Sequence, residues 1–216
     1  NEINVHTGGI GTSLELYPNV EKVKEKEFKA TFEIKTKALY GKLPVAFCMM
    51  QEILTESQLT DEKRLKEILS MAKSRLQMRF QSSGHTTAAL RAMSYASPLS
   101  KLKDLTSGIG YYEIVKQIEE HFEEEKDVLI KNLQTLTKLL FRPENMMVSY
   151  TAAREGMEDL EKLVSELKAK LFTEPVQGQP CVIHCEKKNE GFKTSSKVQV
   201  YSPASAQRST TLPCST

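Results

Sequence analysis

No apolar run in these 216 residues approaches the roughly 18 to 20 that a helix needs to cross a bilayer, so no membrane association is expected. Cysteine is sparse. Cys48, Cys181, Cys185 and Cys214 are too few and too unevenly placed for a disulfide scaffold in a chain of this size, and a reducing, cytoplasmic compartment is the expectation. An excess of either charge is missing too: 30 Lys and Arg against 28 Asp and Glu leave a formal charge of +2. Basic and acidic residues interleave, as in Glu21-Lys22-Val23-Lys24-Glu25-Lys26-Glu27, which reads as a solvated face and predicts no nucleic-acid partner. The opening residues, Asn1-Glu2-Ile3-Asn4, offer neither Met nor the basic and apolar regions of a signal peptide, so the chain is expected to begin inside a longer protein.

Catalytic patterns are equally scarce. A zinc peptidase needs two His one helical turn apart beside a carboxylate that activates the metal-bound water. His6, His85, His121 and His184 are all far apart in sequence. Cys181, His184 and Cys185 put three soft ligands within five residues, but on a strand Cys181 and Cys185 share a face, His184 points to the other, and no fourth ligand lies nearby. A plain strand is the better reading. His85, after Gly84 in a helix break, suits capping or hydrogen bonding more than base or ligand chemistry. Cys48, between Phe47 and Met49-Met50, reads as a buried, inert thiol. Ser107-Gly108-Ile109-Gly110 resembles a small phosphate loop without the fuller glycine pattern or the Lys of a P-loop. His121 with Glu123, Glu124 and Glu125 is a solvated charge run. No catalytic, cofactor-binding or metal-ligating residue is assigned.

What is present is a helical chain with some strand. A hydrophobic content of 39% with 27% charged residues fits a soluble domain with one sizeable core. Residues 1–6 read as the end of a helix, stopped by His6-Thr7-Gly8-Gly9. Ile10, Thr12, Leu14 and Leu16 alternate with polar or small residues, as do Phe28, Ala30, Phe32 and Ile34, which predicts an antiparallel pair with one buried and one wet face. Helical spacing begins at Leu39, with Pro44 in the first turn or at a kink. Thr60 is the expected cap of a second helix, whose stripe is Leu65, Ile68, Leu69, Ala72, Leu76 and Phe80. Ser82-Ser83-Gly84-His85 interrupts it, a small-residue helix follows, and Pro98 ends that run in a loop around 101–105. Helices through Tyr111 to Phe122, Leu129 to Leu140 and 155–171 complete the set, with short strands expected at 146–151, 181–185 and 197–201. The Ser-, Thr- and Pro-rich end reads as disordered.

The segment His6-Thr7-Gly8-Gly9-Ile10, Ser83-Gly84-His85 with Arg91, and Thr106-Ser107-Gly108-Ile109-Gly110-Tyr111-Tyr112-Glu113 together resemble the presequence-protease branch of the insulinase, or pitrilysin, zinc metallopeptidases. The resemblance runs from about residue 1 to 198. It implies an incomplete α+β fold of the LuxS and mitochondrial-processing-peptidase type, an antiparallel sheet with helices on one face. It further implies two bowl-shaped halves around a chamber for unfolded peptides, with zinc held in the first domain of the parent protein. This chain resembles the third, catalytically silent domain: residues 1–173 would be that domain without its first strand, 174–199 a link and the start of the next, and 200–216 a disordered or non-native tail. Asn189-Glu190-Gly191 and Lys197-Val198 resemble the opening strand of the fourth domain, and the pattern departs from the family after Gln199.

The expected function is therefore the non-catalytic, chamber-lining part of a zinc metalloendopeptidase, inactive alone. Its expected partners are the N-terminal catalytic half of the same polypeptide and unfolded peptide. A stand-alone helical interaction module is the other reading, and a small metal-binding protein using Cys181, His184 and Cys185 is a third.

Overall fold

A computed structural model of the chain describes residues 2–19, 21, 28–152, 154–177 and 182–192. Among these, eight α-helices and one two-stranded antiparallel sheet make a helix-dominated α+β fold. The described residues fall into two compact units. One draws on Asn1–Tyr17, Ala30–Glu67 and His121–Pro180, the other on Pro18–Lys29, Ile68–Glu120 and Cys181–Thr216.

In the first unit, the short helix α1 (Glu2–His6) is closed by Gly9, whose φ of +98° is a conformation that favours glycine. The turn is tied to the strand that returns beside it: the Gly8 N–H donates to the Lys37 carbonyl at 2.6 Å and the Thr36 hydroxyl to the Gly9 carbonyl at 3.0 Å. Strands β1 (Ile10–Pro18) and β2 (Phe28–Thr36) pair as the alternation predicts. The expected buried face does not form, since no described residue of either strand is buried and Leu14 and Phe32 remain 46% and 39% exposed. A single pair of strands is too narrow to sequester its own apolar side.

Helix α2 (Leu43–Thr55) follows a 3₁₀ turn at Tyr40–Lys42, with Pro44 in the first turn where its missing N–H leaves no bond unmade. Ala46 and Met50, one helical turn apart, form its buried face. Cys48 lies two residues from each, on the opposite side of the helix, and is exposed, so the buried thiol expected there is not found. Helix α2 packs on α1 and on the last helix, α8 (Met157–Lys170), which contributes Leu160 and Leu167 to the core.

The second unit begins with α3 (Glu62–Ser82), whose residues from Ile68 belong to it. Asp61, not Thr60, caps this helix: its Oδ1 accepts from the Arg64 N–H at 2.9 Å. After the break at Ser83 come α4 (Gly84–Ser94), α5 (Pro98–Ser107) and α6 (Ile109–Glu120), with α5 packed between α4 and α6 in the chain of contacts. The loop expected around 101–105 is thus helix α5. Pro98 starts an element instead of only ending one, because its fixed φ suits a first helical position and Ser97 stands before it as the cap, accepting from the Ser100 N–H at 3.4 Å.

Helix α7 (Phe122–Leu140), in the first unit, opens with a buried Phe122 and with Glu123, Glu124 and Glu125 where carboxylates complement the helix N-terminus. After a 3₁₀ turn at Pro143–Asn145, residues 146–151 form no strand. Met146 has extended backbone, but a strand requires a laddered neighbour, and Met147 and Val148 are 80% and 42% exposed. Residues 182–192 are also irregular, so the strand expected at 181–185 is absent from 182 onward. Cys181, the strand expected at 197–201 and the tail from 200 lie outside the described residues.

Candidate functional site

The second unit is assembled around Arg91. Arg91 is 6% exposed on α4, the helix that packs against α5. Its Nη1 donates to Oδ2 of Asp104 on α5 at 2.6 Å, and Asp104 is completely buried. A buried guanidinium and carboxylate each lose hydration that only close, well-aligned pairing restores. The α4 backbone is held in turn, since the fully buried Ser94 hydroxyl donates to the Arg91 carbonyl at 2.7 Å.

The glycines of Ser107-Gly108-Ile109-Gly110 complete this cradle. The Gly110 N–H donates to the same Asp104 Oδ2 at 3.2 Å. A Cβ on Gly108 would stand 2.4 Å from Asp104 Oδ1, and one on Gly110 would stand 2.7 Å from Oδ2. Here the glycines admit a protein carboxylate from the preceding helix, so the weak phosphate-loop reading of this motif is replaced by a structural one.

Residues 182–192 supply the outer half of the cluster. Glu190 accepts from Arg91 Nε at 2.5 Å and Nη2 at 3.2 Å, a two-point pairing, and its Oε1 also accepts from the Tyr95 hydroxyl. The Phe192 ring lies 5.6 Å from the Arg91 guanidinium carbon, and the Tyr95 ring 6.0 Å from it. Glu113, on α6, places Oε2 3.5 Å from Nη2 while its side chain remains 52% exposed.

The charges respond to this geometry. Burial works against the Arg91 charge, but the hydrogen bonds to Glu190 and Asp104 outweigh it and hold the guanidinium above its ordinary range. The Arg91 hydrogen bond dominates at Glu190 and keeps its carboxyl below the usual carboxylate value. Burial, and then the bond to Glu190, push the Tyr95 hydroxyl up. Arg91 is thus held as a cation by the acidic side chains packed against it.

The other residues singled out in the sequence are dispersed. His85 is exposed in the first turn of α4, where the Thr86 and Thr87 hydroxyls donate back to the Ser83 carbonyl. His184 is exposed and Cys185 half-buried. His121 joins α6 to α7, where Glu123 pairs with Lys126 at 3.0 Å as a solvated charge run would. Among the described residues, no group of three or more His, Cys, Asp or Glu side chains is arranged to hold a metal ion. Asp104, Glu113 and Glu190 do converge, but on a guanidinium that already supplies the positive charge. A cation placed at this cluster would meet that positive charge.

Sequence reasoning missed Asp104 and gave Glu190 no role. Asp104 lies between Lys103 and Leu105 in what read as a loop, and the signal that could have found it is Ser97-Pro98 as a helix start followed by Gly108 as its stop.

A separate open groove in the first unit, about 550 Å³, is lined by the C-terminal end of α2, the turn that follows it, α7, Phe172 and Val176. Neutral polar groups such as Ser57, Gln58 and Gln134 share it with Leu54, Leu59 and Phe172.

Known proteins share this region. Residues 1–118 match the family model described as peptidase M-16C associated. Protein HypA of Clostridium perfringens (strain 13 / Type A) is 30% identical over 199 residues, covering 92% of this chain and 20% of that protein. Presequence protease 1, chloroplastic/mitochondrial, of Arabidopsis thaliana is 25% identical over 173 residues, covering 80% of this chain and 16% of that protein. The mitochondrial presequence protease of Drosophila melanogaster is 30% identical over 144 residues, covering 67% and 14%. The chain spans a fifth or less of the length of these relatives. All of α4 and α5, and α6 as far as residue 118, lie within the matched span, and with more than half of its 216 residues matched the chain belongs to the peptidase M-16C associated family, as a presequence-protease-like region.

Proposed function

We propose that this chain is a non-catalytic part of a zinc metalloendopeptidase that degrades unfolded peptides, and that it lines the chamber in which they are cleaved. Its partners in this reading are the N-terminal catalytic half of the same polypeptide, which holds the zinc, and the peptide itself. Residues 1–173 act as the silent domain and 174–199 begin the next. A reducing, cytoplasmic compartment belongs to the same reading, and the exposed free thiol of Cys48 suits it.

The observation that carries this reading is the fate of the motif residues. Arg91, Gly108, Gly110 and Glu113, on which the family resemblance rests, are spent on one ion-pair cluster that fixes α4, α5 and α6. A domain whose motifs serve its own packing contributes shape and surface to a larger enzyme, and the chemistry resides elsewhere. The groove beside α2 and α7, with its mixed apolar and neutral polar lining, is the surface offered to an extended peptide.

The test is cleavage of an unfolded peptide in the presence of zinc. The chain alone is expected to be inactive, and a mixture of the catalytic half with the complete C-terminal half to be active. Omitting the region that corresponds to this chain is expected to abolish turnover. Cleavage by the chain alone, or equal cleavage when that region is left out, would overturn the proposal.

A further inference from the structure

Glu190 and Phe192 anchor the end of residues 182–192, and both meet Arg91. No helix or strand of its own holds this stretch. If Glu190 left, a buried guanidinium would ordinarily be stranded, at a cost that would forbid opening. Two features here remove that obstacle. Asp104 remains bonded to Nη1, and Glu113 already stands 3.5 Å from Nη2, on a helix that does not depend on residues 182–192 for its backbone bonds. Its half-exposed carboxylate is placed to take the guanidinium edge that Glu190 vacates.

We propose that residues 182–192 form a releasable latch, in which Glu190 and Glu113 exchange as carboxylate partners of Arg91 while helices α4, α5 and α6 stay folded. The latched state has Glu190 paired at two points, Tyr95 bonded to it and Phe192 over the guanidinium. The released state has Glu113 drawn onto Nη2 and the segment free. Two discrete pairings of one buried cation make a two-state element that anything binding the segment would bias. The inference rests on the cluster alone and stands whether or not the chain serves a peptidase.

Limited trypsin digestion of the full chain tests it, because Lys187 and Lys188 lie exposed within the latch and cleavage there reports opening. Cleavage after Lys116, exposed on α6, serves as the internal reference, with both sites followed by mass spectrometry. Glu190→Gln should speed cleavage at Lys187 and Lys188 roughly ten-fold, and Phe192→Ala should speed it less. Glu113→Gln should slow it, since the released state loses its replacement partner. Cleavage after Lys116 should not change in any of the three. Equal rates in the native chain and Glu190→Gln would overturn the latch. So would acceleration by Glu113→Gln, which would make the two carboxylates joint supports. Acceleration after Lys116 in Glu190→Gln would mean that the residue holds up helices α4, α5 and α6 themselves, and would overturn it as well.

Discussion

Asp104 decides what the glycines around it can tolerate. It is fully buried, and a Cβ on Gly108 would also meet the Asp104 Cα at 3.0 Å and carbonyl oxygen at 3.1 Å, atoms that cannot move without unwinding the end of α5. Gly108→Ala is therefore expected to cost about 2 kcal/mol or more in urea unfolding. Gly156 is the informative contrast. A Cβ there would come closer still, 2.2 Å from Tyr40 Cε2, yet the Tyr40 ring is half-exposed and can swing aside, giving up its 3.2 Å bond to Asp159. Gly156→Ala should cost less than Gly108→Ala, about 1 kcal/mol. Equal losses would mean that the Asp104 cradle is softer than its geometry implies. Glu190 gives a pH dependence at the same scale. The folded chain holds its carboxyl below the ordinary value of 4.5, so the unfolded chain takes up the proton first as pH falls. Its contribution is complete above about pH 4.5 and is lost as pH drops through the lower folded value. Thermal unfolding followed from pH 7 to pH 3 should show less acid destabilisation in Glu190→Gln than in the native chain. At this scale the sequence was only partly legible. Arg91, Gly108 and Gly110 stood out by resemblance, whereas Asp104 among lysines looks like any solvated acid until the fold buries it.

Helices were legible because their apolar residues recur with a fixed period. The misread elements were those defined by something other than period. Helix α5 is specified by Ser97-Pro98 at its start and Gly108 at its stop, whereas in the sequence Pro98 reads as the end of the preceding run and Gly108 as part of a glycine motif. Residues 146–151 have strand-like residues in Val148 and Tyr150, but a strand is a pairing between segments, which a single segment cannot announce. The cap of α3 was misplaced by one residue, and that shift is testable. Asp61 accepts the Arg64 N–H through its side chain, so Asp61→Ala should destabilise the chain by about 1 kcal/mol. Thr60→Ala should leave the urea midpoint unchanged. The reverse pattern would restore Thr60 as the cap.

At the scale of the molecule, the chain divides into two units that each leave large apolar side chains exposed. The second buries Leu76, Leu90, Ile109 and Val115 around the Arg91 cluster but leaves Met78, Met93 and Ile114 exposed. The first leaves Leu14, Tyr17 and Phe32 of the sheet, with Met147 and Val148, exposed beside a core of Ala46, Met50, Phe122, Leu160 and Leu167. No sequence pattern revealed this division, because residues from three stretches of chain enter each unit. The sheet of the first unit thus carries apolar side chains and strand edges that water covers poorly. In isolation the chain should therefore associate as its concentration rises and bind a fluorescent hydrophobic probe at neutral pH. Leu14→Lys and Met147→Lys, which place charge on this surface without touching the core, should reduce both signals and leave the unfolding midpoint close to native. If light scattering and probe fluorescence are unchanged in both variants, the exposed side chains of the first unit are not what the isolated chain uses to associate. If the variants become soluble monomers, those side chains are the surface through which the isolated chain associates.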